Sequence, residues 1–86
     1  MQLTPENIAN AKKLLRALAE TLSWDLSSNV LPEHAAREHG LQFTKAQVDA
    51  YEDWLTDQRY LDRNNGSESG AALTQRGIDE ARKVRL

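Results

Sequence analysis

Apolar residues recur at spacings of three and four over the first quarter of the chain, the period of one face of a helix. The positions are Ile8, Ala11, Leu15, Leu18 and Leu22. Thr4 stands where it can cap this helix, and Pro5 suits its first position. The pattern predicts a first helix over residues 5–22.

A second helix is predicted over residues 29–39. It ends at Gly40, because glycine readily adopts the left-handed conformation that follows many helices. Its start is left open between two signals. Ser28 could cap the helix, or Pro32 could occupy its first position.

The third helix begins with the spacing of a capping box, Thr44 followed by Gln47. It is predicted over residues 45–58. Its buried face carries Val48, Tyr51 and Leu55. Since only about four residues separate it from the second helix, the two helices should cross sharply.

A strand–turn–strand pattern follows the third helix. A strand starts near Tyr60, Asn65-Gly66 is a strong hairpin signal, and residues 71–73 form the returning strand. This hairpin spans residues 60–74. A last helix is predicted over residues 75–85.

The order of these elements resembles the winged helix-turn-helix family. Residues 35–41 (AAREHGL) are similar to the end of the first helix and the turn of the helix-turn-helix. Residues 73–77 (LTQRG) are similar to the exit from the wing into a following helix. The resemblance implies one mainly α domain over residues 1–86, with minor β content. Its parts would be a three-helix core, a two-stranded wing and a C-terminal helix.

The resemblance also implies a function, that of a small DNA-binding transcription regulator that is not an enzyme. In that family the third helix enters the major groove of double-stranded DNA and the wing touches the backbone or minor groove. The matching candidate contacts are Thr44, Lys45 and Gln47 on the third helix, Arg63, Asn64 and Asn65 in the wing, and Lys12 and Lys13 as phosphate contacts on the first helix.

The distribution of charge bears on this expectation. The net charge is −2, which excludes an overall basic nucleic-acid binder but not a local basic patch. Asp49, Asp53 and Asp57 form an acidic row on the face of the third helix opposite its apolar one. Three interpretations stay open for this row: a solvated surface, a face that reads bases, or a docking face for a basic protein. The last gives the alternative function, a winged-helix protein-interaction module.

Patterns for catalysis or metal binding are not found in the sequence. The chain has no cysteine. His34 and His39 are five residues apart, about 140° around a helix, whereas helical zinc motifs need both histidines on one face. Gly66-Ser67-Glu68-Ser69-Gly70 has glutamate where a nucleophile elbow needs serine. No enzyme activity, metal or cofactor is therefore expected.

Length and composition give the remaining expectations. The chain has 86 residues, of which 40% are hydrophobic. No stretch approaches the roughly 18 apolar residues of a membrane span, and the N-terminus lacks the basic head and apolar body of a signal peptide. We therefore expect a cytoplasmic protein without membrane association. A homodimer through the first and last helices would suit a palindromic DNA site.

Overall fold

The computed structural model describes residues 3–63 and 70–85. Within these ranges, four helices combine with a small antiparallel sheet, so the predicted mainly helical fold is confirmed. The elements in chain order are α1 (Pro5–Thr21), β1 (Asn29–Val30), α2 (Pro32–Glu38), α3 (Lys45–Asp57), β2 (Leu61–Arg63), β3 (Ala71–Leu73) and α4 (Gln75–Ala81).

Helix α1 lies at the centre of the fold and packs against each of the other three helices. It starts as predicted, because the Thr4 hydroxyl oxygen accepts a hydrogen bond from the Asn7 backbone N–H at 3.2 Å and Pro5 occupies the first turn. Its fully buried residues are Ala11, Leu14, Leu15, Ala17, Leu18 and Ala19. Burying this apolar stripe on three sides is the main hydrophobic contribution to the fold.

Helix α2 ends at the predicted glycine. Gly40 has a φ of +69°. Its N–H donates to the Arg37 carbonyl at 3.2 Å, and the Leu41 N–H donates to the Ala36 carbonyl at 2.9 Å. These two bonds form a Schellman motif, which turns the chain from α2 toward α3.

Helices α1 and α3 end with the same motif on residues other than glycine. Ser23 follows α1 with a φ of +53°, and Arg59 follows α3 with a φ of +64°. After α3, the Tyr60 N–H donates to the Leu55 carbonyl at 2.9 Å. A left-handed conformation costs an L-residue about 1–2 kcal/mol, so both positions are strained relative to glycine.

The predicted start of α2 at residue 29 is wrong, and the alternative start at Pro32 is the one observed. Leu31 is extended, with a φ of −70° and a ψ of 127°. The pyrrolidine ring of a proline disfavours helical backbone in the residue before it. Ser28 caps no helix, because its hydroxyl donates to the Asp25 carboxylate at 2.9 Å. Asn29–Val30 forms strand β1 instead.

The sheet has three strands among the described residues, in the order β1-β3-β2, where the sequence predicted two. The returning strand β3 was predicted correctly and lies in the middle, with all three of its residues buried. It pairs with β2 through Leu61 opposite Leu73 and with β1 through Asn29 opposite Ala72. The pairing of β1 links the start of α2 to the hairpin.

Helix α4 is shorter than the predicted 75–85, since it ends at Ala81. From residue 83 onward the backbone hydrogen bonds shorten to i→i−3. The Lys83 N–H donates to the Glu80 carbonyl at 3.0 Å, and the Val84 N–H donates to the Ala81 carbonyl at 3.1 Å. Such bonds close a tight turn rather than continue an α-helix. Val84, which lies within the range predicted for this helix, is half-buried after the turn.

Candidate interaction surfaces around helix α3

The amino end of α3 is fixed by the predicted capping box. The Thr44 hydroxyl oxygen accepts from the Gln47 N–H at 3.1 Å, and the Gln47 side-chain oxygen accepts from the Thr44 N–H at 2.8 Å. Both residues were also predicted DNA contacts. Their side-chain oxygens accept the hydrogen bonds of the cap. Lys45, the residue that follows Thr44, is exposed, and the cap sets its position.

Tyr51 connects the inner face of α3 to α1 through hydrogen bonds. Val48, Tyr51 and Leu55 are buried, as predicted. The Tyr51 hydroxyl donates to the Asn7 side-chain oxygen at 3.0 Å and accepts from the Asn10 side-chain nitrogen at 3.4 Å. Sequence analysis missed both asparagines, and their only signal is an i, i+3 polar pair beside the apolar stripe of α1.

A cleft of about 210 Å³ lies between α2 and α3; we call it the α2–α3 cleft. It is lined by Glu33, Ala36, Arg37, Leu41, Phe43, Lys45 and Val48. The cleft brings the predicted contact Lys45 together with Arg37, which the sequence had not singled out. Both cations are exposed, whereas Glu33 is half-buried. An anionic backbone could approach this end of α3.

The middle of α3 presents the predicted acidic row outward. Asp49, Asp53 and Asp57 are all exposed. Between residues 46 and 57 the charged side chains of α3 are all acidic. This face would repel DNA phosphates, so the electrostatic character of α3 changes sharply between its first turn and its middle.

A second hollow, of about 420 Å³, runs between the start of α1 and α3; we call it the α1–α3 groove. It is lined by Leu3, Thr4, Asn7, Ala46, Gln47, Ala50 and Tyr51. On the surface of α3, Asp49 is the neighbour of Ala46 and Asp53 the neighbour of Ala50, because residues three apart lie side by side on a helix. No pattern in the sequence pointed to it, because its two walls are far apart along the chain.

Lys12 points away from α3. Its ammonium lies 3.1 Å from the Glu80 carboxylate of α4. On α1 it stands about 140–160° around the axis from Asn7 and Asn10, which face α3. The hydrogen bond from Lys12 lowers the pKa of Glu80, while burial acts in the opposite direction. Lys13 is exposed on α1.

The wing candidates are only partly within the described residues. Arg63 is the last residue of β2, and its backbone pairs with Ala71 of β3. Asn64 and Asn65 lie outside the described ranges. The hairpin arm that leads to them is therefore defined, and their role as DNA contacts stays a prediction.

Residues 3–63 and 70–85 contain neither a cluster of metal ligands nor a membrane-spanning helix. No group of three histidine, cysteine, aspartate or glutamate side chains there could hold a metal ion. His34 instead lies 3.3 Å from Glu38, one helical turn away. None of the helices described there has the length and apolar character needed to cross a membrane.

No protein-family model, curated protein or solved structure matches the chain. Its function has to be inferred from its own surfaces.

Proposed function

We propose that this chain is a winged-helix protein that binds double-stranded DNA. The observation that carries the proposal is the arrangement of α2, α3 and the β2–β3 hairpin. Helices α2 and α3 are joined by a Schellman turn at Gly40, as in a helix-turn-helix. Strand β1, which directly precedes α2, pairs with the hairpin and fixes it relative to this helix pair. The arrangement supports a recognition helix beside a wing.

DNA contact would be concentrated at the amino end of α3. The second helix of a helix-turn-helix meets the major groove with its first residues. Here those residues include Lys45, and Arg37 of α2 lines the same cleft. The acidic row that begins at Asp49 limits how deeply the helix can enter between phosphates. The interface would therefore use few phosphate contacts, with Arg63 of the hairpin adding to them.

The proposal includes a regulatory role without catalysis, in the cytoplasm. A homodimer would double the small number of contacts across a palindromic site. The inner face of α4 packs into the chain's own core through Gly77, Ile78 and Ala81. A dimer through α1 and α4 would therefore use their outer faces.

The test is fluorescence anisotropy with short random-sequence duplex DNA at low salt. Lys45→Glu should weaken binding about tenfold, since one reversed phosphate contact corresponds to about 1.4 kcal/mol. Arg85→Glu is the matched control, because it makes the same charge change on an exposed side chain beyond α4. Equal loss in both variants would mean that only net charge matters and would contradict the proposed interface. An unchanged affinity in Lys45→Glu would contradict it as well.

A second candidate function is binding of a protein through the outward face of α3. The observation that favours it is the exposure of Asp49, Asp53 and Asp57 on the face that a recognition helix would turn toward DNA. Carboxylates there favour a cationic partner over a polyanion.

A further inference from the structure

We propose that the α1–α3 groove is a docking site for a basic amphipathic helix of another protein. An apolar side chain of that helix would enter the groove, and lysine or arginine side chains beside it would lie along Asp49 and Asp53. This inference rests on the second candidate function and names both its site and the chemistry of its partner.

The groove is a shallow, open hollow with a mostly apolar lining, against which an apolar side chain can pack. Ala46 and Ala50 lie one turn apart on α3, and their small side chains leave space above the helix. Leu3 and Tyr51 contribute apolar atoms to the walls of the groove. Its volume is about 420 Å³. Helix-in-groove recognition uses such a hollow for anchors spaced three or four residues apart on the bound helix.

The side-chain oxygens of Thr4, Asn7 and Gln47, which line the groove, already accept hydrogen bonds inside the protein. The Thr4 hydroxyl oxygen accepts from the Asn7 N–H at 3.2 Å, and the Asn7 side-chain oxygen accepts from the Tyr51 hydroxyl at 3.0 Å. The Gln47 side-chain oxygen accepts from the Thr44 N–H at 2.8 Å. An apolar group that covers these atoms therefore leaves none of these oxygens without a hydrogen bond. Leaving such an atom unpaired would cost about 1–3 kcal/mol.

The charges beside the groove select the partner. Asp49 and Asp53 are exposed on the α3 side, and Glu6 is exposed in the first turn of α1. No lysine or arginine follows Lys45 on α3. Complementary potentials guide association and exclude partners of like charge. An apolar centre with an acidic border therefore fits a helix that carries cations on both sides of its apolar stripe.

The probe is a synthetic amphipathic helix with leucine at i and i+4 and lysines beside them. A second peptide, with glutamate in place of each lysine, is the matched control. Both are titrated into ¹⁵N-labelled protein, and amide chemical shifts are followed. We expect the basic peptide to shift the resonances of Ala46, Ala50 and Tyr51 and the acidic peptide to shift none of them. Equal binding of the two peptides, or shifts centred on the α2–α3 cleft, would overturn the inference.

Two variants sharpen the test. Asp49→Lys should weaken the basic peptide about tenfold, equivalent to about 1.4 kcal/mol, whereas Asp79→Lys on α4 makes the same charge change away from the groove and should leave the affinity unchanged. Ala50→Leu fills the groove without changing charge and should also weaken the peptide. Unchanged peptide affinity in Asp49→Lys and Ala50→Leu would overturn the inference. So would sedimentation that shows a dimer of this chain which Ala50→Leu dissociates.

The failure of this inference can be told apart from the failure of DNA binding. Asp49→Lys removes a negative charge that faces phosphates, so it should tighten DNA binding while it weakens the peptide. A variant that changes only one of the two affinities identifies which proposal has failed.

Discussion

The backbone of Gly77 packs directly on the carbonyl group of Tyr60. A Cβ atom at Gly77 would overlap both the carbonyl oxygen and carbon of Tyr60. The Thr74 hydroxyl strengthens the same junction, because it donates to the Arg59 carbonyl at 2.6 Å and accepts from the Gly77 N–H at 2.9 Å. The start of α4 is thereby held against the segment between α3 and β2.

Gly77→Ala should therefore destabilise the protein. Helix propensity alone favours alanine over glycine by about 1 kcal/mol, but the overlap with Tyr60 should reverse the sign and cost about 1–3 kcal/mol. Urea unfolding followed by circular dichroism measures the change. Gln75→Ala, at an exposed position of the same helix, is the control and should change stability little. An increase in stability for Gly77→Ala would contradict the close contact.

Arg59→Gly should stabilise the protein by about 0.5–1 kcal/mol, because glycine adopts a positive φ without the cost that an L-residue carries. Gln58→Gly tests the neighbouring position, where φ is −80° and ψ is −2°. There glycine should destabilise by about 0.5–1 kcal/mol through its greater freedom in the unfolded chain. Equal effects of the two substitutions would contradict the left-handed end of α3.

Tyr51→Phe should lower the free energy of unfolding by about 0.5–1.5 kcal/mol, the net value of a hydrogen bond. The loss leaves Asn7 and Asn10 without the hydroxyl that they share. Thermal unfolding measures the effect, and Tyr60→Phe serves as a control at a half-buried tyrosine. If Tyr51→Phe left the free energy of unfolding unchanged, the contact between α1 and α3 would depend on apolar packing alone.

Protonation of Glu80 should weaken the contact between α1 and α4. Its pKa is lowered from its ordinary value of 4.5, first by the hydrogen bond from Lys12. A carboxyl with a lowered pKa in the folded state stabilises the protein above its unfolded pKa, and this stability is lost as the pH falls through the folded value. We expect Glu80→Gln to lower the thermal midpoint at neutral pH and to make it less dependent on pH below about 5. Asp79→Asn, at an exposed carboxylate, is the control, and identical pH profiles for Glu80→Gln and the original chain would contradict the role of this ion pair.

Elements fixed by local signals could be predicted from the sequence. The start of α3 was found because Thr44 and Gln47 stand three residues apart and bond to each other's backbone. The end of α2 was predicted correctly because Gly40 adopts the left-handed conformation that is typical of a glycine after a helix. Each signal depends only on residues close together in the chain.

Elements that depend on distant residues could not be predicted in the same way. Strand β1 has two residues and exists through its pairing with Ala71 and Ala72. Pro32 was the local signal that α2 starts late, because proline suits the first position of a helix and disfavours helical backbone at the preceding Leu31.

The candidate surfaces were predicted only in part. The acidic row could be predicted from the spacing of its aspartates alone. The α1–α3 groove depends on Leu3 and Ala50 lying close together in the fold, although they are far apart in the sequence. The ion pair of Lys12 could not be predicted either, since its partner Glu80 is far away in the sequence. Its charge alone suggested a phosphate contact, although the structure pairs it with a carboxylate.

The salt dependence of DNA binding tests the central claim most directly. Affinity for duplex DNA is measured by anisotropy over a series of salt concentrations, and its logarithm is plotted against the logarithm of the salt concentration. Phosphate contacts at Arg37, Lys45 and Arg63 predict a slope of about −3 for one bound chain and about −5 for a bound homodimer, since each neutralised phosphate contributes about −0.9. Absence of binding at low salt, or binding whose affinity does not change with salt, would contradict the claim that this chain binds DNA.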